Sequence, residues 1–161
     1  MLFRSNEVVA AGWSVSADFP TTPSSYRTTS AGLIDLVALR LRADGTLPVF
    51  STYLGGSDTD VAESVHLAAD GSVWVGGFTR SANFPTTLGA PQRQPGGDDD
   101  GLIVRFAANG QSMLYSTLFG GAGADVVRGI DQDGSDLLVV GQTTGNLSVT
   151  ANATQPNYGG G

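Results

Sequence analysis

Three observations predict an all-β chain built from four-stranded antiparallel units: a 65-residue internal repeat, short apolar runs without helical periodicity, and turn dipeptides at matching phases. The repeat is plain. Gly12-Trp13-Ser14, followed by Ser16-Ala17-Asp18-Phe19-Pro20-Thr21-Thr22, returns 65 residues on as Gly77-Phe78-Thr79, followed by Ser81-Ala82-Asn83-Phe84-Pro85-Thr86-Thr87. The register then holds without a gap, because Asp35, Arg40, Gly55-Gly56 and Asp60 recur as Asp100, Arg105, Gly120-Gly121 and Asp125. A third copy begins at Val126. After one deletion, Leu137–Gly141 falls on Val73–Gly77, which puts Gly141 in series with Gly12 and Gly77. The chain therefore divides into copies over residues 1–60, 61–125 and 126–161 of a single domain, with the first and third incomplete.

Within a copy the elements follow in order. Val61–Ala68 and Ser72–Thr79 flank Asp70-Gly71, a hairpin signal that tolerates positive φ. A polar loop rich in Thr, Pro and Gly runs from Ser81 to Asp100. Leu102–Ala107 and Met113–Phe119 then flank Asn109-Gly110, a second hairpin signal. The runs Leu36–Leu39, Val73–Val75, Leu102–Val104 and Leu137–Val140 are continuously apolar, the mark of strands covered on both faces. Four-stranded sheets stacked face to face supply that cover. The expected architecture is thus a β-propeller fragment of about two and a half four-stranded antiparallel blades, against the four to eight of a closed ring. A β-sandwich is the alternative, and it would leave a polar face on each sheet.

Composition narrows the function classes. The 161 residues are 40% apolar and carry a net charge of −7, which opposes binding to phosphate backbones and anionic membranes. No apolar stretch approaches the roughly 18–20 residues that span a bilayer. With no cysteine there are no disulfides and no thiolate metal sites. Met1–Glu7 has neither an apolar h-region nor a cleavage site, so it does not read as a signal peptide. By the repeat, Val8 aligns with Val73, and Gly159-Gly160-Gly161 falls where a third Leu-Ile-Val strand is due. The expectation is a truncated piece, or a protomer that closes by self-association through its open blade edges.

The linked motifs Asp-Gly, Val73-Trp74-Val75-Gly76-Gly77-Phe78-Thr79, Ser81-Ala82-Asn83-Phe84-Pro85-Thr86-Thr87 and Tyr115-Ser116-Thr117-Leu118-Phe119-Gly120-Gly121 resemble the SBBP-type bacterial β-propeller repeat. Ser51-Thr52-Tyr53-Leu54-Gly55-Gly56 matches its signature more closely still. The resemblance implies a propeller module of bacterial secreted or cell-surface proteins, with no shared catalytic residues. The third copy departs from it, with Gln142 where Trp13 and Phe78 stand and Leu147-Ser148 in place of Phe-Pro.

Candidate sites are few. Asp131, Asp133 and Asp136 flank Gly134 and offer alternating carboxylates for Ca²⁺; the competing reading is another Asp-Gly hairpin. Asp98 and Asp99 read as solvated, and Asp100 as a loop anchor because Asp35 repeats it. Arg40 and Arg105 read as outer-strand arginines with packed stems. His66 is the single histidine; Ser64 shares its strand face without forming a triad. Trp13, Phe78, Trp74, Tyr53 and Tyr115 are aromatics of a kind that stacks on sugars; Trp13 with Phe78, and Phe50 with Tyr115, share repeat positions and read instead as residues that pack blades together, whereas Trp74 lacks an aromatic counterpart. Asn146 and Asn152 fit the glycosylation pattern. No cofactor is implied. The functional expectation is a non-catalytic module whose loops Ser14–Gly32, Ser81–Asp100 and Thr143–Gly161 gather on one rim and bind protein or carbohydrate. The alternatives are a propeller-fold polysaccharide lyase or hydrolase fragment and a structural spacer.

Overall fold

A computed structural model describes the backbone of residues 2–4 and the whole of residues 7–155 and 157. Every regular element in it is a strand. Strands β1 (Leu2–Arg4), β2 (Glu7–Ser14), β3 (Asp35–Leu41) and β4 (Pro48–Leu54) form the first sheet, paired in chain order. Strands β5 (Asp60–Leu67), β6 (Val73–Thr79), β7 (Asp100–Phe106) and β8 (Met113–Phe119) form the second in the same order. Strands β9 (Asp125–Asp133) and β10 (Asp136–Thr143) make a two-stranded third sheet. All ladder pairs are antiparallel. The sheets form an open stack and do not close into a ring. Gly159-Gly160-Gly161, where a further strand is due by the repeat, lies outside the described residues. At the other end, three-residue β1 takes the place beside β2 that β5 takes beside β6, so the first sheet does not open at its second strand.

The ladder explains the apolar runs of the second sheet, whereas Leu138 and Val140 of β10, expected to be covered on both faces, are 53% and 66% exposed. One face of the first sheet, with Val9, Leu36, Ala38, Phe50 and Leu54, meets Val73, Val75, Leu102, Val104 and Phe106 of the second. The opposite face of the second sheet, with Trp74 and Ile103, meets Val127 and Ile130 of the third. The middle sheet is therefore covered on both sides, and consecutive residues are apolar because alternate ones serve different seams. Burying a side chain such as Phe50 or Leu102 contributes about 1.5–3 kcal/mol.

Both turn dipeptides fall where the sequence places them, with a refinement. The Gly71 and Gly110 amides bond back to the carbonyls of Ala68 and Ala107, at 3.0 and 2.8 Å, and only the glycines are left-handed. Each connection is thus a type I turn followed by a left-handed glycine, rather than a mirror-image two-residue turn. The preceding Asp70 or Asn109 side chain accepts the amide two residues on, which fixes the corner.

The two complete long loops start and finish at the same end of their sheets, then fold back along the outermost strands. Thr22 and Tyr53 exchange backbone bonds across the edge of β4 with Ser51 and Arg27. Thr87 and Gln92 repeat this on β8 with Ser116 and Leu118. The loops thereby blunt two strand edges.

Candidate functional site

At the loop end, a buried polar constellation repeats from one sheet to the next. Asp35 opens β3, and its Oδ2 accepts the amides of Ala31 and Gly32 at 2.9 and 3.2 Å. Asp60 opens β5 of the following sheet and accepts the Gly56 amide at 2.7 Å, the Ser81 hydroxyl at 2.9 Å and the Thr79 hydroxyl. Gly55 sits between the two carboxyl groups, and a Cβ there would collide with both. Asp100, Asp125 and Gly120 reproduce the arrangement one repeat later, with Asp100 accepting the Gly96 amide at 2.9 Å and Asp125 that of Gly121 at 2.7 Å. Burial raises the pKa of Asp60, and Asp35 adds to the effect; the Thr79, Gly56 and Ser81 donors oppose it. These carboxylates anchor loops and sheet-to-sheet links. Asp99 pairs with Arg80, whose pKa it raises, and Asp98 is exposed. The repeat marked Asp60 and Asp125 as recurrent, but only the fold reveals that each faces the strand-opening aspartate of the preceding sheet.

At the turn end, Arg40 does more than snorkel. Its guanidinium donates to the carbonyls of Gly71 and Ala108 at 2.8 and 3.0 Å and pairs with Glu7 at 2.7 Å, bridging the first sheet to both turns of the second. Arg105 stays on its own sheet. It donates to Ser72 at 2.9 Å and to Asp70 at 2.7 Å, and lies 5.1 Å above the Trp74 ring. The Ser72 hydroxyl and amide lower the Asp70 pKa, and Arg105 adds to this.

The remaining candidates separate clearly. His66 is buried and places Nδ1 2.8 Å from Asp131 across the seam between β5 and β9. The half-exposed Ser64 hydroxyl accepts the Ile130 amide at 2.9 Å. Asp133 and Asp136 pair across the β9–β10 turn, where Gly134 alone is left-handed. With Asp131 turned to His66, the three aspartates do not converge on a Ca²⁺ site, and no cluster of three or more metal-ligating side chains occurs among the described residues. Asn146 and Asn152 are exposed in the final loop.

The aromatics divide in a way the repeat did not foresee. Tyr53 is fully buried, donating to Ser16 at 2.6 Å and accepting the Phe19 amide at 2.8 Å. Trp74 is buried edge-on to Tyr115. Trp13, expected to pack blades together, is instead 57% exposed at the penultimate position of β2, although its cross-strand partner Leu36 is fully buried. Val15 and Leu33 are exposed on the connections leaving β2 and entering β3, at 71% and 70%. Their exposure has no signal in the sequence. No family model and no curated protein matches the chain.

Proposed function

We propose that the chain is a non-catalytic β-propeller repeat module of the SBBP type, from a bacterial secreted or cell-surface protein, that binds a protein or carbohydrate ligand at its loop end. The observation that carries this reading is the exposure of three large apolar residues, Trp13, Val15 and Leu33, at the two ends of the first long loop. Indole faces suit sugar rings and apolar peptide side chains equally, and anchor residues of this kind dominate recognition surfaces. The loop between these residues is held by main-chain bonds to β4 and by Arg27 donating to Gly55 at 2.7 Å, so little ordering entropy is lost on binding. The stacking of successive repeat units in chain order supports the propeller reading. The burial of His66 against Asp131 favours binding over hydrolysis.

Glycan and protein arrays probed with the intact chain test this. A genuine ligand shifts Trp13 emission to shorter wavelength, while Trp74, already buried, contributes a constant background. The Trp13→Ala variant should fold and lose array binding. Array signals that survive this substitution would move the site elsewhere, and turnover of a labelled polysaccharide would replace the proposal with an enzyme.

A further inference from the structure

The two ends of the first long loop lie side by side, because Ser14 of β2 pairs with Asp35 of β3. They set Trp13, Val15 and Leu33 in solvent. In the second copy the positions of Val15 and Leu33 are held by Arg80 and Asp98, and both are exposed there too. The second sheet is packed on both faces, so exposure at these positions belongs to the repeat itself and not to an absent neighbour. The two copies meet here. Leu33 donates its amide to the Asp58 carbonyl at 3.1 Å, and Arg80 donates its own to the adjoining Thr59 carbonyl at 2.8 Å. Around Arg80 the charge is unbalanced. Asp99 pairs with it at 2.5 Å, and that bond, with the further charges of Asp58 and Asp98, raises its pKa. Of the loops' other arginines, Arg27 is turned to the Gly55 carbonyl and Arg93 to the Thr86 hydroxyl. Exposed apolar side chains of one copy thus adjoin a surplus of carboxylates in the next.

We propose that this junction binds a basic, apolar peptide segment, with an apolar side chain against the Trp13 and Leu33 side and a Lys or Arg directed to Asp58 and Asp98. The inference rests on the loop-end binding reading and names the chemistry of its ligand. Charge selects the occupant. An indole accepts a sugar ring or an apolar peptide side chain alike, but a neutral sugar gains no Coulomb attraction from surplus carboxylates, and an acidic peptide is repelled by them. The net charge of −7 has the same sign and steers a cationic partner at longer range. Asp98 is exposed and Asp58 half-exposed, so solvent screens their attraction. They therefore confer selectivity and salt dependence, while the apolar contact supplies most of the affinity.

The experiment probes the intact chain with an array of short synthetic peptides that join leucine to lysine, to glutamate or to serine, and follows Trp13 emission with the bound peptides in solution. We expect the lysine set to bind and to move the emission to shorter wavelength. Affinity should fall about fivefold in the double variant Asp58→Asn, Asp98→Asn. Raising the salt from about 50 mM to about 500 mM should weaken binding to the wild type, a readout that does not depend on the variant's folding. Selection of the glutamate or serine set, salt-independent binding of the lysine set, or undiminished binding by a folded double variant would overturn the proposal. So would lysine-set binding that survives Trp13→Ala, since the carboxylates would then act without the apolar residues. A neutral glycan that shifts Trp13 emission where no lysine peptide does so removes the basic-peptide inference and leaves loop-end binding standing. No Trp13 response to any glycan or peptide removes both.

Discussion

The two seams between successive sheets draw on the same repeat positions and finish differently. In the first, Arg40 crosses to the Gly71 and Ala108 carbonyls, and Phe50 and Leu54 are completely buried. In the second, Arg105 turns back to Asp70 and Ser72, and Phe119 is left partly bare. The residue types at these positions are similar. What changes is the opposing sheet, which brings four strands to the first seam and two to the second. A repeat position thus encodes a capacity, and the neighbouring sheet decides whether it is used.

Gly110 and Gly45 provide the largest test. Both are left-handed, with φ of 67° and 68°, at the ends of equivalent hairpins. Alanine at either position incurs about 1–2 kcal/mol of backbone strain. Only Gly110 lies in a seam, where a Cβ would run into the Phe50 ring; Gly45 has open space around it. Gly110→Ala should therefore destabilise by about 2–3 kcal/mol more than Gly45→Ala, through overpacking. Urea midpoints compared at equal m-value measure the difference. Equal losses would mean that the second sheet's turn does not seat on Phe50.

The arginines come next. Arg40→Met keeps the packed stem and removes three charge-assisted bonds, two of them to main-chain carbonyls. The expected loss is about 1–3 kcal/mol, because half-buried acceptors lose their charged donor. Arg105→Met gives up a pair with the exposed Asp70, a hydrogen bond to the Ser72 hydroxyl and a contact with the Trp74 ring, together about 1 kcal/mol. Thermal melts of the two variants decide the order. If the losses match, the bonds across the first seam contribute nothing that those within the second sheet lack.

Much of this architecture is legible without coordinates. The Asp70-Gly71 and Asn109-Gly110 pairs mark hairpins because so few residues tolerate a left-handed corner, and the runs at Val73–Val75 and Leu102–Val104 announce double cover. What cannot be read is the surroundings a position meets in the fold. Trp13 and Phe78 are interchangeable by repeat logic, yet Trp13 projects into solvent. Asp131 belongs to a metal-like run and is drawn off by His66 from another sheet. The pairing of Asp35 with Asp60 is likewise invisible, because it joins the starts of strands in different sheets 25 positions apart in the numbering.

That aspartate pair yields the smallest predicted effect and the one with the most specific sign. Burial raises the Asp60 pKa, so the folded chain holds this proton more tightly than the unfolded chain, whose reference value is 3.8. The stabilising contribution is therefore fully present below 3.8 and is lost as pH rises through the raised value. Asp44 and Asp70 act in the opposite direction: turn hydrogen bonds lower their pKa values, so their contributions hold above 3.8 and disappear as pH falls through the depressed values. The two windows lie on either side of 3.8. Between neutral pH and about pH 4, Asp60 should make the wild type gain stability on acidification relative to Asp60→Asn, which keeps the shape and cannot titrate. Asparagine can still accept from Gly56 and donate toward Thr79, so a change in slope rather than collapse is expected. Urea midpoints measured at intervals across that range supply the comparison. Parallel profiles for the two proteins would show that the carboxylate at the first seam is as well solvated folded as unfolded, and that its burial does not disfavour the charged form.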